Sequence, residues 1–405
     1  YPESKNKIYD VIVVGAGQAG LSFSYFLKER GVEHLVIEKG KTGESWKSKR
    51  WDSFKLNTPN WVNRLPGDEP VNSNDIDLFA TAGQFVHILE KYAKRFGLPV
   101  CQNCEVLNLT QADNLFELTI KCEDMVSVLR CKKVIVASGV SDGKLPSISN
   151  FIAPHIIQIH AKDYKNASQL PNGAVLVVGS GQSGTQIAEE LLEHQKTVFL
   201  SCSSVSSTPR RYRGKDIFYW LSEMKFFDMP TQLAIETGRV KMRPPQVSGV
   251  GMFGHSIDLD YLVNKGAILV GKVKSSEETI VQLDQNVYAD LKLTHDFINN
   301  LTTKIDEFID LNSLDFPKNE ADFNILPRYD LKLKSAEISE LDLKENNIQS
   351  IVWATGFESN LSWINVPLVR DGNRPNHING RSPIPGLYYI GFPWLRTGNQ
   401  VLYTG

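Results

Sequence analysis

This chain has little of what marks an extracellular, metal-binding or membrane protein. Cysteine occurs five times and histidine eight times in 405 residues. So sparse and odd a cysteine set does not make a disulfide framework. The eight histidines form no metal cluster and no His-x-x-x-His pair, so no metal is expected. Neither sign of charge is in excess, with 44 Lys and Arg against 46 Asp and Glu, and nothing electrostatic favours nucleic acid. No apolar run reaches the roughly 18 residues that cross a bilayer, and YPESKNKIYD lacks the apolar core of a secretory signal. A cytoplasmic chain with no membrane or nucleic-acid partner is expected, while oligomeric state is not legible. Low-complexity tracts are missing too, and the length suits two or three globular domains.

What the chain does have is glycine in pattern. In YDVIVVGAGQAGLS an apolar, β-branched run leads into Gly15, Gly17 and Gly20, with Gln18 and Ala19 between them. Glycine permits close approaches that a Cβ forbids, so strand, turn and helix here predict a cradle for a dinucleotide pyrophosphate. The next helix carries an apolar stripe at Ala19, Phe23, Phe26 and Leu27, and Gly31 stands where a helix C-terminal glycine belongs. The next strand, HLVIEKG, ends in Glu38, about 20 residues on, where a carboxylate accepts hydrogen bonds from ribose hydroxyls.

The same phrase recurs: VIVVGAGQAG returns as VLVVGSGQSG, with Gly179, Gly181, Gln182, Ser183 and Gly184. A second helix stripe comes after it at Ile187, Ala188, Leu191 and Leu192. Its next strand, KTVFLSCSSVSS, ends without an acid. Hydroxyls at Ser201, Ser203 and Ser204, with Arg210, Arg211 and Arg213 beyond, suit a 2′-phosphate, so NADPH is expected over NADH. A solvated arginine loop is the alternative. Two sites imply one cofactor that stays and one that visits, FAD in the first and NADPH in the second.

A second echo, KKVIVASG ending at Gly139 and QSIVWATG ending at Gly356, brackets the second glycine motif. The expected fold is α/β with two Rossmann-like dinucleotide-binding domains, the NADP domain inserted into the FAD domain. Residues 1–155 and 345–405 would form the FAD domain and 156–344 the NADPH domain. Cys101 and Cys104 form a C-x-x-C at the entrance to a strand-like run rather than at a helix N-terminus, which reads as coincidence. Ile217, Trp220, Leu221 and Met224 form a helical stripe suited to a core or to an apolar pocket wall.

Together these residues resemble the class B flavoprotein monooxygenases, including flavin-containing and YUCCA-type enzymes. The resemblance spans almost the whole chain and rests on GAGQAG, GESWKSKRWDSFKLNTPNW, GSGQSG, WATGF and GLYYIGFPWL. It implies that Trp46 joins the FAD site and that Asn57, in KLNTPN, stands near the flavin's reactive edge. An Asn before Thr-Pro is equally a turn former. It also implies roles for Thr355 and Gly356 at the domain return, and for His160 and Tyr164, which match the end of a family fingerprint. The Phe and Gly of that fingerprint are replaced by Pro154 and Ile156. The family usually continues past NQVLYTG into a helix aimed at the flavin. The implied reaction is NADPH reduction of FAD, oxygen addition at flavin C4a, and transfer of one oxygen atom from O2 to a small organic substrate by N-, S- or Baeyer–Villiger oxygenation. An NADPH oxidase that releases hydrogen peroxide, or a disulfide reductase, is the alternative.

Overall fold

A computed structural model describes residues 7–70, 75–140, 142–241, 244–247, 249, 254–318, 333–367, 370–371 and 374–396. The segment NQVLYTG lies outside the described residues. The architecture is α/β. The first unit opens with β1 (Ile8–Val14), α1 (Gln18–Glu29) and β2 (His34–Ile37). After α2 (Glu44–Ser48) and α3 (Ala82–Arg95) come β3 (Val100–Cys101), β4 (Cys104–Ala112), β5 (Leu115–Cys122) and β6 (Met125–Val136). The strands run in the order β3-β2-β1-β6-β5-β4. β6 has two tasks. Its first half pairs antiparallel with β5, and its second half pairs parallel with β1. Valine and isoleucine suit β1 because a central parallel strand is covered on both faces, and Val11 to Val14 are buried.

The second unit has β7 (Ile157–His160), β8 (Ala174–Val178), α4 (Gln182–Glu193) and β9 (Val198–Ser201). Its five-stranded sheet also takes the strands Ile268–Val270 and Ile348–Trp353, all parallel. The strand Ile348–Trp353 corrects the domain expectation: it lies between β7 and β8 and belongs to the second unit. The chain rejoins the first sheet later, at Leu387–Tyr389, which pairs with β6. The echo between KKVIVASG and QSIVWATG therefore has another cause. Each pairs with the strand that leads into the glycine turn of its own unit, β6 with β1 and Ile348–Trp353 with β8, and each is followed by an alanine packed against that turn.

The stripe on α1 is shifted from its expected place. Gly20, Leu21, Ser24 and Leu27 are buried, whereas Phe26 is 45% exposed. Ser24 turns inward because its hydroxyl pairs with His34 Nε2 at 2.7 Å. Gly31 takes a φ of 64°, as its position after a helix requires. Helix α4 is buried from Gly184 to Leu191, charged residues included, because it lies between the two units. The aromatic stripe is core: Ile217, Trp220 and Leu221 pack with Leu301, Ile305 and Ile309. A single apolar cluster runs from Val11, Leu21 and Phe54 of the first unit to Tyr164, Val175 and Ile187 of the second.

Gly15 (φ 111°) and Gly179 (φ 109°) hold the same place in the two units. A Cβ on Gly20 would strike the Gly15 carbonyl oxygen, and one on Gly184 would strike the Gly179 carbonyl oxygen. Gly20→Ala and Gly184→Ala should each cost about 3 kcal/mol or more, at the upper end of overpacking penalties. Urea unfolding reads this directly, and a loss under about 1 kcal/mol in either would refute the packing account.

Candidate functional site

A cavity of about 980 Å³ opens over the C-terminal ends of β1, β2 and β6, lined there by Val14, Ile37 and Ala137. Open α/β sheets place ligands at that end. Of the residues expected from the sequence, Gly15, Gly17, Gln18, Ala19, Glu38, Trp46 and Gly139 line it. Gly20 does not, because it is pressed against the turn beneath.

Glu38 is the anchor of this cavity. Its Oε2 accepts the Ala16 N–H at 2.7 Å and its Oε1 accepts the Gly40 N–H at 3.0 Å, tying the glycine turn to the end of β2. Burial raises its pKa above the ordinary carboxylate value, outweighing the two amide donors. Trp46, on α2, meets Phe85 edge to face at 5.3 Å. Arg50 was missed by sequence reasoning, although it also lines the cavity. Its guanidinium sits over Trp46 and Phe54 at 4.9 and 5.3 Å, and burial lowers its pKa to about 10, still charged at neutral pH. The signal was there, an arginine four residues after Trp46, but nothing in the sequence distinguished it from Lys47 or Lys49. Ile390 and Gly391, in the quoted GLYYIGFPWL, complete one wall.

Asn57 stands apart, where the units meet. Its Oδ1 accepts from Gln186 Nε2 of α4 at 3.1 Å, and its carbonyl accepts from Arg210 Nη1 at 2.7 Å. Its amide N–H2 is the edge left to donate. Arg210 in turn forms an ion pair with Asp216 at 2.6 Å, both side chains 1% exposed. The expected 2′-phosphate role of Arg210 is therefore corrected: its guanidinium is buried against Asp216, Asn57 and the Phe79 ring.

The second glycine motif caps α4 as expected, with Gly181 at its N-cap and Gln182 opening it. The side chain of Gln182 accepts the Val247 N–H. The hydroxyls around it are committed inward. Ser203 pairs with Ser180, Ser201 donates to the Gly271 carbonyl, and Ser204 donates to Asp290. Arg213 is held by Asp306. Arg211 donates to the Gly214 carbonyl and has no carboxylate partner among the described residues.

His160 and Tyr164 lie in the seam rather than among the residues lining the cavity. His160 Nδ1 accepts the Lys162 N–H and its Nε2 donates to the Gly356 carbonyl, the neutral tautomer. Burial lowers its pKa. Tyr164 donates to Glu190, which also receives Ser53. Thr355 and Gly356 come after the strand Ile348–Trp353, with Gly356 at a φ of 103°.

A glycine turn at a helix start, made twice, with a buried acid at the end of the next strand in the first unit, defines a dinucleotide-binding oxidoreductase. The chain belongs to the pyridine nucleotide-disulphide oxidoreductase family, whose pattern matches residues 12–232. It is 30% identical over 399 residues to an uncharacterized oxidoreductase, CzcO-like, of Geobacillus kaustophilus, covering 98% of this chain and 94% of that one. It is 25% identical over 400 residues to the probable indole-3-pyruvate monooxygenase YUCCA1 of Arabidopsis thaliana, covering 95% and 85%. Its fold matches a flavin-containing monooxygenase from Stenotrophomonas maltophilia with a TM-score of 0.63 at 17% identity, covering 98% and 94%. The resemblance to class B flavoprotein monooxygenases is borne out.

The glycines divide into two kinds. A Cβ on Gly17 meets nothing within 4 Å, yet Gly17 lines the cavity. Gly17→Ala should leave the unfolding free energy of the cofactor-free chain within about 1 kcal/mol of the parent. It should weaken dinucleotide binding at least about tenfold by holding the pyrophosphate off the turn. Fluorescence titration with FAD checks this, and unchanged affinity would remove the cavity as the pyrophosphate site.

Proposed function

We propose that this chain is an FAD-dependent, NADPH-using monooxygenase that transfers one oxygen atom from O2 to a small organic substrate, by N-, S- or Baeyer–Villiger oxygenation. The observation that carries the reading is Asn57: a residue of the first unit, held by Gln186 and Arg210 of the second, where the two units meet. Bound FAD would supply the acceptor for hydride from nicotinamide and the centre that activates oxygen.

The residues present fit that cofactor. Gly15, Gly17 and the N-terminus of α1 would take the pyrophosphate, Glu38 the ribose hydroxyls, and Arg50 would place positive charge in the same cavity. The chain's own part in the chemistry is placement and exclusion of water. Gln186 fixes the Asn57 amide by donating to its Oδ1, which leaves the N–H2 edge as the one to donate. The buried Arg210–Asp216 pair keeps the loop backbone from moving.

A disulfide reductase would need a cysteine pair at the seam. Three of the five cysteines instead gather beside Glu38, while Cys131, on β6, and Cys202, just after β9, are buried apart from them. Among the described residues no helix is long and apolar enough to cross a membrane.

The deciding experiment reduces the FAD-loaded protein anaerobically with one equivalent of NADPH, then mixes it with oxygen in a stopped flow. A spectrally distinct species before reoxidation is expected, and substrate should hasten its decay. Direct reoxidation with stoichiometric hydrogen peroxide, unchanged by nucleophilic or carbonyl substrates, would make the protein an NADPH oxidase.

Cofactor choice has its own test. Arg211→Ala should remove a charge-assisted contact of about 1.5–3 kcal/mol, weakening NADPH roughly 10- to 100-fold while sparing NADH. Equal losses for both would sink the 2′-phosphate assignment.

A further inference from the structure

The C-x-x-C that reads as coincidence in the sequence gains a third member in the fold. Cys101 ends β3, Cys104 begins β4 and Cys122 ends β5, and their sulfur atoms lie within 4.8 Å of one another. Cys104 and Cys122 are direct partners across the β4–β5 ladder and are joined as a disulfide. One disulfide is not a framework, but it gives the cysteines a bond that their sequence spacing did not suggest. Cys101 keeps its thiol, with Sγ 3.2 Å from Cys104 Sγ. Asn103, at a φ of 56°, forms the turn that folds one cysteine back over the other.

That turn is fastened to the end of β2 where Glu38 sits. The Glu38 N–H donates to the Cys101 carbonyl, the Cys104 N–H donates to the Glu38 carbonyl, each at 2.9 Å, and the Asn103 N–H donates to the Gly40 carbonyl at 2.8 Å. Asn103 and Cys104 also line the cavity beside Glu38. A change of covalent bonding among these sulfurs is thus one peptide removed from the carboxylate that anchors the cavity.

We propose that Cys101, Cys104 and Cys122 form a thiol–disulfide exchange site, oxidised by hydrogen peroxide, whose bonding state sets how tightly the Glu38 end of the cavity holds its occupant. The link to the occupant rests on the FAD reading above, and the exchange does not. In the oxidation, the Cys104 and Cys122 thiols give up two electrons and two protons to one peroxide, which leaves as two waters. In the exchange, the Cys101 thiolate attacks Cys104 Sγ. A Cys101–Cys104 bond forms, the Cys104–Cys122 bond breaks, and its electron pair leaves on Cys122, which takes up a proton. One disulfide spans the ladder and the other closes the Asn103 turn, so the two states hold the backbone partners of Glu38 differently. Burial raises the Cys101 thiol above its ordinary pKa, which slows the exchange at neutral pH. Cys131 and Cys202 are buried and stand outside this cluster, so among the described cysteines the trio is where sulfurs lie close enough to join.

The test maps the cysteines of the whole chain after full reduction, one equivalent of hydrogen peroxide and acid quenching. Two of five thiols should be lost, with Cys104–Cys122 and Cys101–Cys104 peptides both recovered. Cys122→Ser should give only Cys101–Cys104, Cys101→Ser only Cys104–Cys122, and Cys104→Ser neither. Retention of all five thiols, oxidation of single sulfurs to sulfinic acid, or a stoichiometric thiophilic metal on the trio would each overturn the proposal. On FAD-loaded protein, Cys122→Ser and Cys101→Ser in their oxidised forms should differ at least about fivefold in FAD dissociation constant, the low end of coupling between linked sites. Equal constants would overturn the control of the cavity. A chain that takes up no FAD in any state would overturn the FAD reading, and the peptide map would still decide the exchange.

Discussion

Everything in this molecule hangs on one close packing, made twice. The first turn of a helix lies directly on the carbonyl of the glycine that follows the preceding strand, and an alanine after the neighbouring parallel strand fills the space below. In the first unit these are Gly20, Gly15 and Ala137, and in the second Gly184, Gly179 and Ala354. The contact sets how near the helix comes to the sheet. It thereby aims the free N–H groups of the helix start at whatever lies over the strand ends. A larger residue at any of these positions would tilt the helix and spoil the cradle before any ligand arrived.

The two cradles are then locked to one another by buried polar contacts rather than by a flexible linker. Arg210 and Asp216 form an ion pair with almost no exposure, and Arg210 spends a further N–H on the Asn57 carbonyl. Glu190 of α4 receives Ser53 from the first unit and Tyr164 from the crossing segment. Such pairs add little net stability, because desolvation offsets most of the attraction, but removing one partner strands the other at a cost of about 3–5 kcal/mol. Their effect is to specify one arrangement of the units. Precision at Asn57 comes from that arrangement and from no property of the loop that carries it.

Much of this was legible from local pattern. The glycine spacing, the duplicated phrase and the acid at Glu38 each reflect short-range chemistry, and the structure places Gly15, Gly17, Glu38, Trp46 and Gly139 around one cavity. The illegible part depends on which strands become neighbours. QSIVWATG carries no mark of the sheet it joins, so its pattern points to the first unit although Ile348–Trp353 pairs with β7 and β8. Arg210 looks like Arg211 in sequence, and only the fold sends one into the seam and leaves the other outside. Cys122 lies 18 residues from Cys104, and its relation to the C-x-x-C exists only once β4 and β5 pair.

The inequality of the two cradles gives physical content to the idea of one lasting and one passing occupant. At the first, Glu38 is buried enough to raise its pKa even while it accepts two amide donors. Ribose hydroxyls arriving there would add donors to a carboxylate that is poorly solvated without them, so occupancy relieves a standing cost. At the second, Ser180 and Ser203 satisfy each other, Ser201 is bonded to Gly271, and Ser204 to Asp290. These four hydroxyls already have protein partners, and no carboxylate ends that strand. A cradle that is costly when vacant retains its ligand, and one that is satisfied when vacant can release it between turnovers. On the proposed FAD and NADPH reading, the duplicated phrase would hold its two occupants for different times because the second strands of the two units end differently, one in a buried acid and the other in hydroxyls bonded elsewhere in their own unit.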